Sequence, residues 1–82
     1  MKVIDPTYIL SLHIDLENQD NATLFMRIKK GFPVIAGETI TIEPSINLPF
    51  KNAIVYKVSS VENPLPSSVK GLQTQTIKLT RV

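Results

Sequence analysis

The chain predicts an all-β fold, a small antiparallel barrel or sandwich of five to six strands with little or no helix. Three observations carry that expectation. Apolar and polar residues alternate with a period of two in several short runs. Those runs are separated by proline, glycine and Asn/Asp-rich breaks. No window of about 10–12 residues spaces apolar side chains at three and four without an internal proline, glycine or β-branched run.

The first strand is expected over residues 8–17, where Leu10, Leu12, Ile14 and Leu16 alternate with Ser11, His13, Asp15 and Glu17. Asn18, Gln19, Asp20 and Asn21 follow, side chains that bond their own backbone and favour a turn, so a hairpin is expected. Its second strand, residues 24–30, places Leu24, Met26 and Ile28 on one face and Phe25, Arg27 and Lys29 on the other. Gly31 ends it, and Pro33 cannot donate to a central ladder. Residues 39–43 alternate again until Pro44. Residues 45–52 read as a loop, with Ile46, Leu48 and Phe50 available to cover one end of a core.

Residues 53–62 differ from the rest. Ile54, Tyr56 and Val58 point one way while Ala53, Val55 and Val61 point the other, so both faces of this strand are expected to be partly buried. Pro64 and Pro66 mark a loop, residues 69–73 are irregular around Gly71, and residues 74–82 form the last strand, with Ile77 and Leu79 facing one side.

The segments Gly37-Glu38-Thr39-Ile40-Thr41-Ile42, Val55-Tyr56-Lys57-Val58 and Ile77-Lys78-Leu79 together resemble the strand pattern of small SH3-like barrels, over about half of the chain. The resemblance implies a fold and no site. The acidic and aromatic groove residues of peptide-binding SH3 domains are not identifiable in this chain.

With 82 residues the chain is expected to be a single domain, residues 1–82. Its 43% hydrophobic and 6% aromatic composition makes the core aliphatic, and the absence of cysteine excludes disulfides and thiolate metal sites. A chain without thiols, without a leader-like start and without a long apolar run is expected in the cytoplasm, away from membranes.

Catalytic and cofactor chemistry is not expected. His13 is the one histidine and lies on the polar face of its strand, so zinc is disfavoured and an ordinary exposed residue is the reading adopted. Asp15 and Glu17 share a face at about 7 Å, a spacing open to an acid–base pair, but the reading adopted is two solvated carboxylates that keep the strand soluble. The segment 15–20 lacks the glycine and bidentate glutamate of a calcium loop. Phosphate-loop and nucleophile-elbow patterns are missing, and no small-molecule substrate is indicated.

Three surfaces remain. The outward Ala53, Val55 and Val61 need a cover, which motivates a homo-oligomer. Phe25, Arg27, Lys29 and Lys30, followed by Phe32, could bind single-stranded nucleic acid by stacking and phosphate neutralisation. Leu65, held between two prolines, could meet a protein partner at little entropic cost or fold back on the core. Charge is unevenly spread: residues 1–20 carry one basic and four acidic groups, −3, and residues 21–82 carry eight basic and three acidic, +5. The expected function is therefore a non-enzymatic interaction or assembly module, of the kind found in phage-like or mobile-element assemblies, with nucleic-acid binding as the alternative.

Overall fold

Alternation decides the centre of the sheet. Ala22, Leu24, Met26 and Ile28 are buried along the strand Asn21–Lys29, as are Gln75, Ile77 and Leu79 along Leu72–Arg81, and these two strands pair antiparallel over nine residues. The computed structural model describes residues 2–46, 48 and 51–82. Among them lie β1 (Lys2–Ile4), β2 (Ile9–Ile14), β3 (Asn21–Lys29), β4 (Thr39–Ile42), β5 (Ile54–Val61), β6 (Leu65–Pro66) and β7 (Leu72–Arg81). They form one sheet in the order β1-β4-β5-β7-β3-β2, with the short β6 also on β7.

All pairings are antiparallel except β1 with β4, which is parallel. Following the directions around the sheet, β1 and β2 run the same way, one at each edge. They are separated by a single 3-10 turn, Pro6–Tyr8. Asp5 caps this turn by accepting hydrogen bonds from the Thr7 amide and hydroxyl, both at 2.9 Å, and Pro6 supplies a suitable first-turn φ. The Thr7 amide, then its hydroxyl, holds the Asp5 carboxyl below the usual carboxylate range. The N-terminal stretch is thus one broken strand that joins both edges of the curled sheet.

The core is aliphatic as expected: Leu24, Ile40, Ile42, Ile77, Leu79 and Val58 are buried with Tyr56, and Leu48 packs at its margin. Ile46 is fully exposed and covers nothing, contrary to expectation, while Phe50 lies outside the described residues.

Two bulges correct the sequence-based face assignments. In β2 the register shifts between Ile9 and Ser11, so Leu10 is the extra residue and is exposed, while Ile9 packs on the core in line with Leu12 and Ile14. In β5 the shift lies between Val58 and Ser60. That extra residue turns Val61 inward, opposite the buried Ile77, so Val61 packs on the core and does not share an outer face with Ala53 and Val55. Ala53 is exposed and Val55 half-buried opposite Thr41, which leaves a much smaller apolar outer patch than the alternation suggested.

Gly37 adopts a φ of +93°, while its amide donates to the Val58 carbonyl at 2.8 Å. A Cβ there would meet open space, so the cost of Gly37→Ala is conformational. Urea denaturation should show a loss of about 1–2 kcal/mol.

Tyr56 is held protonated beyond its ordinary value of 10.0, chiefly by burial; Arg81 opposes this and Asp20 adds to it. The folded state therefore favours the neutral phenol. Its contribution to stability is complete below pH 10 and falls as pH rises from there through the higher folded value. Urea midpoints measured across this alkaline range should decline less steeply in Tyr56→Phe.

Candidate functional site

The register leaves one seam open. β2 pairs with β3 only as far as Met26, so Arg27, Ile28 and Lys29 have a strand partner on the β7 side alone. Across that gap β1 has a strand partner only in β4. Between these edges lies a groove of about 490 Å³. Val3, Ile4, Tyr8, Met26 and Phe32 supply its apolar surface, and Lys2, Arg27 and Lys29 its cations, against the single carboxylate of Asp5. Phe32 is 70% exposed, an unusual position for a phenylalanine. The Nε of Arg27 is buried and has no hydrogen-bond partner among the described residues.

The loop carrying Phe32 is held from the core side. Gln75 is only 2% exposed, on the inner face of β7. Its side-chain oxygen accepts from the Val34 amide at 2.9 Å, and its nitrogen donates to the Val34 carbonyl at 2.9 Å and the Glu62 carbonyl at 3.3 Å. A side-chain amide thus imitates a strand edge and fixes Val34 against β7, while backbone bonds between Gly37, Glu38 and Val58 hold the end of the loop on β5. Phe32 further donates its amide to the Lys29 carbonyl at 3.0 Å.

The structure divides the expected basic aromatic set. Arg27 and Lys29 enter the groove, joined by Lys2, Tyr8 and Phe32. Lys30 is exposed in the turn beyond β3, its amide bonded to the Gly71 carbonyl at 3.1 Å. Phe25 lies elsewhere: half-buried, it lines a hollow of about 440 Å³ with Leu65, Thr74 and Thr76. Leu65, between Pro64 and Pro66, sits in β6 and is 63% exposed, so it does not fold back on the core.

On the outer face the register places His13, Thr23, Lys78 and Ser60 in one row across four strands. With Asp15, Asn21, Ser59 and Thr80 they line an open polar hollow of about 600 Å³, created where the β5 bulge bends the strand. Among the described residues no three of His, Cys, Asp and Glu stand close enough to hold a metal ion. None of the described helices is long and apolar enough to cross a membrane.

Asp15, Glu17 and Asp20 flank the turn before the first residue of β3, Asn21, with Lys78 and Arg81 of β7 alongside that end, while Arg27, Lys29 and Lys30 lie at its far end, beside Lys70 and Gly71. Sequence reasoning missed Gln75, Lys2 and Tyr8. Gln75 left a usable signal, a polar residue in phase with Ile77 and Leu79; Lys2 and Tyr8 left none, because only closure of the sheet brings β1 beside β3. No protein-family model, curated protein or solved structure matches this chain.

Proposed function

We propose that this chain is a non-catalytic interaction module that docks an acidic, apolar protein segment in the groove between β1 and β3. The observation that carries the reading is the pairing of an apolar floor with three cations, at a seam where two strands each lack a neighbour. The apolar floor supplies binding energy, and the cations select a negatively charged ligand. The same reading takes the architecture as an SH3-like small barrel working in a reducing cytoplasm, supported by the strand pattern and the cysteine-free composition.

A second reading rests on Phe32. An exposed aromatic ring beside Arg27 and Lys29 also suits a nucleobase and its phosphate. Fluorescence anisotropy with two labelled probes, a short peptide bearing leucine between acidic residues and an unstructured single-stranded oligonucleotide, separates the two. Peptide binding should weaken by about tenfold in Arg27→Glu. An oligonucleotide that binds with steep salt dependence while the peptide does not would transfer the function to the second reading.

A further inference from the structure

The turn between β2 and β3 has the chemistry that the groove is built to receive. Leu16 is 86% exposed at its tip, with Asp15 and Glu17 on either side and Asp20 just beyond. The turn is preorganised: Asp15 Oδ1 accepts from the Glu17 amide at 2.9 Å, Asn18 Oδ1 accepts from the Asp20 amide at 3.1 Å, and the Asp15 amide donates to the Asn21 carbonyl at 2.9 Å. A further bond from the Arg81 amide to the Asp20 carbonyl, at 2.6 Å, ties the turn to the last strand. A leucine kept in water by this many local bonds is an apolar knob that loses little conformational freedom on docking.

Resting on the docking reading above, we propose that the occupant of the groove is the β2–β3 turn of a second copy of this chain, so that copies associate head to tail. Leu16 enters the apolar floor beside Val3 and Phe32, and Glu17 and Asp20 meet Lys2, Arg27 and Lys29. The chain cannot satisfy itself in this way. Turn and groove are displaced along β3 by the span from Asn21 to Arg27, roughly 20 Å at about 3.4 Å per residue. Each copy uses one surface as donor and a different one as acceptor, so the contact closes either as a reciprocal pair about a two-fold axis or as a longer ring or filament.

Sedimentation velocity on the full chain tests this with two variants, Leu16→Asp, which removes the knob, and the double variant Lys2→Glu with Lys29→Glu, which reverses the groove. Both alter exposed side chains and should retain the wild-type circular dichroism spectrum. The wild type is expected to gain mass to a dimer or beyond as its concentration rises, and to dissociate on addition of salt. Each variant alone should remain a monomer. An equimolar mixture of the two should form a one-to-one pair, twice the monomer mass, and grow no further, because only one intact knob and one intact groove remain in the mixture. A wild type that stays monomeric throughout, variants that assemble like the wild type, or a mixture that shows no pair would overturn the inference. Were the wild type monomeric while the labelled acidic peptide still bound, self-association would fall and the docking reading would stand; loss of both would remove the two together.

Discussion

Replacing Gln75 with leucine is expected to destabilise the fold by about 3–5 kcal/mol. The substitution keeps bulk in the core but leaves the buried Val34 amide and carbonyl without their partner, each at a cost of about 1–3 kcal/mol, while the carbonyl of the exposed Glu62 can turn to water. For a domain of this size, whose whole stability is on the order of 4–12 kcal/mol, that is a large fraction. Thermal denaturation followed by circular dichroism should show a midpoint lower by about 15 °C or more. Gln75→Glu separates hydrogen bonding from volume. The ionised carboxylate cannot donate to either carbonyl, whereas its protonated form supplies one donor, so that variant should recover part of its stability in acid. A midpoint for Gln75→Leu within a few degrees of wild type would show that the amide does not hold the loop.

The second large effect is expected at the centre of the sheet. Leu24 and Ile77 are fully buried and stand directly opposite one another on β3 and β7. Leu24→Ala removes the transfer energy of its side chain and leaves a cavity lined by neighbours that regular pairing prevents from closing, at a cost of about 3–5 kcal/mol. Ile77→Val, with one methyl group fewer, should cost about 1 kcal/mol. Because the two side chains face each other, the double variant Leu24→Ala, Ile77→Val should depart from additivity by about 0.5 kcal/mol or more in chemical denaturation. Additive losses would place the two side chains in separate packing environments.

The open seam and Gln75 are mechanically related. Gln75 fixes Val34, Val34 lies two residues after Phe32, and Phe32 forms part of the groove. A variant at Gln75 that still folds should therefore dock the acidic peptide more weakly, since loop order must then be restored on binding. The groove owes its place to where β2 stops pairing. Had β2 continued past Ile9 along β3, its backbone would have filled the space that Arg27 and Lys29 now share with β1.

Much of the fold was legible residue by residue. The alternation of Leu24, Met26 and Ile28, of Ile40 and Ile42, and of Ile77 and Leu79 assigned strands and buried faces correctly, because side chains on a regular strand must alternate whatever the strand pairs with. The turn at residues 18–21 was legible for a similar reason: Asn18 bonds a backbone amide two residues away, within its own segment. The uneven distribution of charge was present in the order of residues, but the return of β7 places Lys78 and Arg81 beside the acidic turn.

Features that depend on a partner distant in the chain were not legible. Leu10 and Val61 lie in runs that alternate well, yet an extra residue in the ladder exposes one and buries the other, and nothing in the run itself says where pairing will slip. β1 is too short to show a period and is stabilised by parallel pairing with β4, about forty residues later. Sequence alone therefore determined the class of fold, the aliphatic core, the central strand faces and the acidic and basic ends of the chain, all consequences of local periodicity and composition. Only the tertiary structure decided which strand edges meet, and so where the bulges fall, why a glutamine belongs in the core, and that Lys2, Arg27, Lys29 and Phe32 surround one groove.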